Sequence, residues 1–368
     1  MDWNNKRTFR SPHLPVALVA PSFSSQYPLY AADWANDGSD WIALGSFREG
    51  FLNRIQVIRG DVDTGSPMLA AECHAGSLFA SMAETAVDYP VTRLQWEPHL
   101  AQRLAALLEV LRLYQMEDEG LVQTHMLANN LAGDGDVSTF PPVTAFDWNR
   151  ADPSVLITLS VDTTCTVWDL GRSTAHVKTQ LIAHDLEVFD VRFLYQSTSV
   201  FASVSNDGSM RVFDLRSLEH STIVYEPPGA PGPTTNYNPL ALVRLLASNV
   251  DQHHLATVGV NLNQVLVIDM RMPGVPVTTL DALFGGLATG AVNSLEWHPQ
   301  LNLLLTGGDD CQAVVWDIGS TRPQPEPITI DTPVLAHSED LEVNRVCWRP
   351  SGDWIGVVSG KDFRAVQA

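Results

Sequence analysis

His184, Ser203, Ser205 and Asp207 fall within one stretch, AHDLEVFDVRFLYQSTSVFASVSNDGSMRVFDLR (183–216). On paper these residue types make a catalytic constellation, with an imidazole set between a hydroxyl and a carboxylate. The same types also serve a structural purpose. A loop His, a strand Ser or Thr, a turn Asp and a Trp N–H can form a buried hydrogen-bond chain inside a narrow wedge of sheets, where an unpaired polar group is costly. Asp162 stands six residues before Trp168, and Asp310 six before Trp316. Asp207 stands six before Phe213, which has no N–H to complete the chain, and the next copy has Asn261 and Ile268 instead. The structural reading is favoured for Asp162, Trp168, His184, Asp207, Asp310 and Trp316.

Other chemistry finds little support. There is no G-x-S-x-G, H-E-x-x-H or G-x-x-x-x-G-K, and Gly285-Gly286 and Gly307-Gly308 read as turn glycines. Cys73, Cys165, Cys311 and Cys347 are scattered without metal spacing, which predicts reduced core thiols. His253-His254 opens a predicted strand. No cofactor or metal is expected. Two arginines stand apart: Asp214-Leu215-Arg216 and Asp269-Met270-Arg271 end consecutive strand patterns with Asp-x-Arg, which predicts both on one face. The plain reading pairs them with local carboxylates; the sharper one makes them a docking patch, since the planar guanidinium is enriched at protein interfaces.

The elements that position these residues are short. In 183–216 three Val- and Phe-rich runs are bounded by turn residues, and Asn206-Asp207-Gly208 is a strong hairpin signal. A hydrophobic-Asp ending about thirty residues after a His marks one blade of a WD40 propeller. Its first run recurs as LYAADW, VTRLQW, VTAFDW, VFDVRF, ALVRLL, VNSLEW and VNRVCW, ending at Trp34, Trp96, Trp148, Phe193, Leu246, Trp297 and Trp348. The predicted second strands are WIALGS, RLAALL, VLITLS, VFASVS, HLATVG, LLLTGG and WIGVVS. The fold class is therefore all-β, a seven-bladed propeller. LPVALVA (14–20) is expected to supply the last blade's missing fourth strand and close the ring, leaving no open edge there. Residues 1–11 are read as a tail and 12–368 as one domain, with loop insertions near 76–89 (carrying a short helix), 226–239 and 321–333. RLAALLEVLRLYQM (103–116) lacks a Gly-Asp turn, which predicts a short or distorted hairpin.

Composition narrows the function classes. The 368 residues carry a formal net charge of −20, which disfavours direct nucleic-acid binding. No apolar run approaches a membrane span, and the start is too polar for a signal peptide. The expected location is cytoplasm and nucleus.

The middle of the chain resembles the Transparent Testa Glabra and anthocyanin-regulator WD-repeat proteins, whose animal counterpart is the DDB- and cullin-associated WD-repeat factor. The resemblance is dense over VTAFDWNRADPSVLITLSVDTTCTVWDL (143–170), HVKTQLIAHDLEVFDVRF (176–193) and FASVSNDGSMRVFDLRSLEHSTIVYE (201–226). DWIALGSF (40–47), VLVIDMRMPGVPV (265–277) and GGDDCQAVVWDI (307–318) extend it, and HSTIVYE is its most specific phrase. It implies a non-catalytic scaffold that assembles kinases, transcription regulators or adaptors, monomeric within a larger complex. It also implies a second reading, a cullin–RING ligase substrate receptor, through boxes ending at Arg216 and Arg271. Phe213 and Ile268 replace the box Trp. The segment 173–185, with His176, Lys178 and Gln180, is read as a loop and candidate docking site, because the likeness peaks where core packing does not explain it. A propeller hydrolase is the remote rival. It would need carboxylates or histidines on the innermost strands, which are read as Val, Thr, Leu, Phe and Trp.

Overall fold

The computed structural model describes residues 20–60, 62, 78–100, 102–118, 120–128, 141–171, 174–227, 240–281, 290–319 and 327–368. Its strands pair into seven separate sheets. β-Branched and aromatic runs of about six residues, each ended by an Asp, Asn, Gly or Pro turn, favour short antiparallel strands over helix. One strand, β1 (Ser22–Ser24), precedes the first blade. Blade one contains β2 (Leu29–Trp34), β3 (Trp41–Ser46), β4 (Asn53–Gly60) and β5 (Phe79–Val87). Blade two contains β6 (Arg93–Trp96), β7 (Arg103–Leu107), β8 (Leu111–Glu117) and β9 (Gly120–Leu127). Blade three contains β10 (Val143–Trp148), β11 (Val155–Ser160), β12 (Thr164–Asp169) and β13 (His176–Ile182). Blade four contains β14 (Val188–Phe193), β15 (Val200–Ser205), β16 (Met210–Asp214) and β17 (Ser217–Tyr225). Blade five contains β18 (Leu242–Ala247), β19 (His254–Gly259), β20 (Gln264–Asp269) and β21 (Pro276–Asp281). Blade six contains β22 (Val292–Trp297), β23 (Leu303–Gly308), β24 (Gln312–Asp317) and β26 (Leu335–Ser338), with β25 (Ile328–Ile330) between its last two strands in the chain. Blade seven contains β27 (Val343–Trp348), β28 (Trp354–Ser359) and β29 (Asp362–Gln367).

Within each sheet the chain runs from the innermost strand outward. The connections entering the inner strands and the second-to-third turns therefore share one face, here the upper. The first-to-second and third-to-fourth connections share the lower face. Hydrophobic cores fill the wedges between neighbouring blades: Trp96 and Leu104 of blade two pack with Ile55 and Val57 of blade one. Trp297 and Trp316 of blade six pack with Val265 and Val267 of blade five. No blade buries both faces alone, so the ring is the cooperative unit.

The ring closes through the start of the chain. β1 pairs with β29 as the outer strand of blade seven, with Phe23 opposite Phe363. The closing strand is thus Ser22–Ser24. The predicted closing segment, residues 14–20, lies outside the described residues except for Ala20, which is not in a strand. Phe363 is fully buried and meets Trp34 and Phe79 edge-on, at centroid distances of 6.1 and 5.7 Å, tying blade seven to blade one.

Four other expectations are corrected. Residues 79–87, read as a loop with a short helix, form β5, which pairs with β4 over its whole length. The hairpin without a Gly-Asp turn is regular: β7 and β8 pair from Arg103–Gln115 to Leu107–Leu111, and the Leu108 N–H donates to the Val110 carbonyl at 3.1 Å. The insertion at 321–333 is not only loop, because β25 pairs in parallel with β21 and covers the outer edge of the preceding blade. The fifth inner strand is LVRLLA (242–247), one residue later than ALVRLL, since Leu242 faces Gly259 as Val188 faces Ser205. From residue 228, the segment 226–239 lies outside the described residues, as do residues 1–11.

Removing β1 leaves the outer edge of β29 without a partner among the described strands, and it takes away the Phe23 that stands opposite Phe363. A chain truncated to begin at residue 27 should melt several degrees below one truncated to begin at residue 20, as read by calorimetry or circular dichroism. Equal melting temperatures would show that β1 does not hold the ring.

Candidate functional site

The residues that looked catalytic do meet in space. His184 Nε2 lies 2.7 Å from Ser203 Oγ, and His184 Nδ1 lies 3.0 Å from Asp207 Oδ2. Ser209 adds its Oγ to both partners, at 3.2 Å from Nδ1 and 2.7 Å from Asp207 Oδ1. Ser203 and His184, however, are sealed in the wedge at 0 and 1 % exposure, so no substrate carbonyl can approach. Burial alone would raise the Asp207 carboxyl. Hydrogen bonds from His184 and Ser209 outweigh it and hold the group well below the usual carboxylate range. Phe213, where an indole would complete the chain, stacks on Phe201 at 5.0 Å instead.

The other two blades split the chain into pieces. Trp168 donates to Thr158 Oγ1 at 2.9 Å and Trp316 to Thr306 Oγ1 at 3.0 Å. Their turn carboxylates, Asp162 and Asp310, cap the local backbone at Thr164 and Gln312. The six residues named from sequence are therefore placed at blade hairpins, but only His184 and Asp207 touch each other.

Arg216 and Arg271 emerge together on the lower face, at the third-to-fourth connections of adjacent blades. Each strand-ending Asp caps the turn: Asp214 Oδ1 and Asp269 Oδ1 accept the backbone N–H of Arg216 and Arg271, both at 2.9 Å. Each guanidinium then folds back onto the same carboxylate, at 2.6 Å for Arg216 and 2.7 Å for Arg271. The Arg216 hydrogen bonds hold the Asp214 carboxyl down at about 2. The side chains remain 74 and 40 % exposed, so each presents the outer edge of its fork to solvent. In blades three and six the equivalent caps end on Gly171 and Gly319, so among these four turns only blades four and five offer an arginine.

His176, Lys178 and Gln180 do not join them. They lie on β13, an outer edge strand rather than the expected loop. A bulge leaves Lys178 without a partner residue in β12, which breaks the alternation that would align the three. His176 Nε2 sits 3.5 Å from Asp169, and the Gln180 amide nitrogen is buried.

The inner wall is where the sequence reading missed most. It is not Val, Thr, Leu, Phe and Trp alone: Asp33, Arg93, Asp147, Asp190, Arg192, Arg244, Glu296 and Arg345 all sit on inner strands, so every blade contributes a charge. Six of the seven inner strands carry a β-bulge at their second residue, as between Val188 and Asp190 or Val343 and Arg345. The bulge brings two successive residues to the channel, such as Phe189 with Asp190 and Asn344 with Arg345. Many of these side chains then bridge to the next blade. Asp33 Oδ2 accepts the Trp96 N–H at 2.7 Å, Gln95 Oε1 the Trp148 N–H at 3.1 Å, and Asp147 Oδ2 the Phe193 N–H at 2.9 Å. Asp190 Oδ2 accepts the Leu245 N–H at 3.0 Å, and Ser294 Oγ the Val346 N–H at 3.1 Å. Arg244 Nε donates to the Asn293 carbonyl at 2.9 Å, and Asn344 Nδ2 to that of Leu29 at 3.1 Å. All seven blade junctions are thus crossed. Arg93 also reaches past blade three to Asp190, at 2.8 Å.

Geometry and burial define a class: a closed β-propeller whose buried polar groups hold blades together and whose faces carry exposed, pre-positioned side chains. Comparison with known proteins agrees. Residues 175–214 and 275–317 match the WD domain, G-beta repeat family. A WD repeat-containing protein of Saccharomyces cerevisiae is 36 % identical, over 96 % of this chain and 79 % of its own length. An uncharacterised WD repeat-containing protein of Schizosaccharomyces pombe is 34 % identical, over 92 % of this chain and 87 % of its own. The DDB1- and CUL4-associated factor 7 homolog of Dictyostelium discoideum is 35 % identical, over 91 % of this chain and 94 % of its own. The chain belongs to the WD40-repeat family.

Two pH effects follow. Burial raises the Asp33 carboxyl to about 7, against the lowering effect of the Trp96 N–H. Because the folded pKa lies above the unfolded one, its contribution is full below about pH 4 and is lost as pH rises through 7. Asp33→Asn keeps the acceptor oxygen without the charge, so it should match the parent below about pH 4 and melt higher at pH 8; a lower melting point at both would refute this account. Asp207 is the opposite case. Its contribution is present above about pH 4 and fades as pH falls. Asp207→Ala should cost about 1–3 kcal/mol in denaturant melts at pH 7 and progressively less below pH 4.

Proposed function

We propose that the chain is a non-catalytic docking platform that brings two or more protein partners together on one rigid disc. The observation that carries this reading is the matched pair Arg216 and Arg271. Both are exposed on the same face in adjacent blades, and both are fixed by the carboxylate that also caps their turn. A pre-ordered guanidinium loses little freedom on binding, and its planar fork suits a partner's carbonyl or carboxylate. Each partner would cover roughly 800 Å² of the disc. Two docked partners then meet at the high effective concentration a common support provides. The buried Ser203–His184–Asp207 set argues against a hydrolase, because its hydroxyl is closed to solvent.

A second reading is favoured by a specific likeness. The Dictyostelium relative is named as a DDB1- and CUL4-associated factor, and the Asp-x-Arg turns are the feature a ligase adaptor would read. In that case the disc is a substrate receptor of a cullin–RING ligase, and the remaining face holds the substrate. The likeness of 201–226 to the plant regulators and their animal counterpart supports transcription regulators and kinases among the partners. In this reading the protein works in cytoplasm and nucleus as one copy within a larger complex.

Arg216→Asp with Arg271→Asp tests the pair. The double variant should keep the parent's melting temperature, because both side chains are exposed, while recovering at least about tenfold less adaptor in co-precipitation. Unchanged adaptor recovery defeats the receptor reading. Unchanged recovery of every partner in tagged purifications defeats the role of this face.

A further inference from the structure

The upper half of the central channel encloses about 180 Å³, and its charged lining is four arginines, Arg93, Arg192, Arg244 and Arg345, with a single carboxylate, Asp190. This is a local inversion in a chain whose formal net charge is −20. Asp190 is already shared: its Oδ1 takes Arg93 at 2.8 Å and Arg192 at 2.9 Å, while its Oδ2 takes the Leu245 N–H. Arg345 has only a distant carboxylate, Glu296, at 3.6 Å. Arg244 spends two donors on the carbonyls of Asn293 and Val243, and among the described residues no carboxylate lies within ion-pair reach of it. Burial works against the charge on Asp190, but Arg192, Arg93 and the Leu245 N–H outweigh it and keep the carboxyl ionised, so its charge is already spent on two of the four arginines. Asp147 and Glu296 line the lower end of the channel and reach its arginines only at long range, Arg93 at 3.8 Å and Arg345 at 3.6 Å, which leaves Arg244 as the arginine without a carboxylate among the described residues.

We propose that the upper channel is a binding site for a phosphate group, held chiefly by Arg244 and Arg345. A compact dianion with several acceptor oxygens suits convergent guanidinium forks in a partly desolvated hole better than a single carboxylate does. The phosphate is either a free anion or the phosphorylated side chain of a protein segment lying over the upper face; the chemistry at the arginines is the same. The site is independent of the Arg216–Arg271 face, which lies on the opposite side of the disc, so either can fail without the other.

The test uses the full chain and three probes at matched ionic strength: inorganic phosphate, a short phosphoserine peptide with uncharged flanks, and the same peptide unphosphorylated. Binding is read by calorimetric titration and by the shift in melting temperature. The expected result is saturable binding of phosphate or phosphopeptide, with none of the unphosphorylated peptide. Arg244→Gln should weaken it roughly tenfold. Because Arg244 also bridges blades five and six, a second variant guards against misfolding. Ser294→Asp occupies the same strand position in blade six as Asp190 does in blade four. Its carboxylate can accept the Val346 N–H as Asp190 accepts that of Leu245, while adding negative charge beside Arg244. It should keep the parent's unliganded melting temperature and abolish binding. Tighter binding of the phosphopeptide assigns the site to a protein partner; equal or tighter binding of inorganic phosphate assigns it to a free anion. No saturable binding of either, or binding unchanged in both variants, overturns the proposal.

Discussion

A relay of side-chain hydrogen bonds around the inner wall holds this molecule together. At each blade junction one inner-strand side chain crosses to the backbone of a neighbouring inner strand, by a carboxylate at Asp33, Asp147 and Asp190 and by neutral or cationic groups at the other four. Each inner strand is the edge of its sheet, so the peptide groups on its channel side lack sheet partners. Supplying those partners from the next blade satisfies buried polarity and sets the angle between sheets in one stroke. The hydrophobic wedges provide the bulk of the stabilisation, but they are not directional. The relay is what makes the count and spacing of blades definite.

The same economy explains why a serine, a histidine and an aspartate can stand in hydrogen-bond order without doing chemistry. In blade four the loop before the inner strand lies over the hairpin of β15 and β16, and His184 fills the gap between them. Ser203, at its far end, lies within β15 and is fully buried. Catalysis needs the nucleophile at a surface that substrate reaches. Here the order of groups is used to join a loop to a hairpin, and the carboxylate's low proton affinity is a consequence of being well solvated by protein.

Charge is distributed with the same division of labour. The chain as a whole is strongly acidic, the lower face carries two arginines already fixed to their own aspartates, and the upper channel collects four arginines around one carboxylate. Fixing an arginine before a partner arrives reduces the ordering cost of docking. Concentrating arginines in excess of the carboxylates beside them, where the dielectric is low, makes the channel attractive to anions even in a chain of negative net charge.

Much of the fold was legible in the residues because propeller strands are short, local and bounded by turn chemistry. LYAADW, VTAFDW, VFDVRF, VNSLEW and VNRVCW all end where an aromatic gives way to a turn, and Asp-Gly marks the β15–β16 hairpin. The Asp-x-Arg spacing was enough to place Arg216 and Arg271 on one face, since third strands of adjacent blades end alike. What pattern could not reach were interactions between residues far apart in the chain. Phe79–Val87 forms a strand because β4 offers it an edge, and Ile328–Ile330 because β21 of another blade does. The bulges in the inner strands break the two-residue alternation, so the charges at Asp190, Arg244 and Arg345 read as interruptions of apolar runs, when they are the lining of a common channel. Local sequence determined the strands and their turns through short-range sterics and hydrogen bonding. Only closing the circle decided which polar side chains would face one another, because that depends on which blade comes to stand beside which.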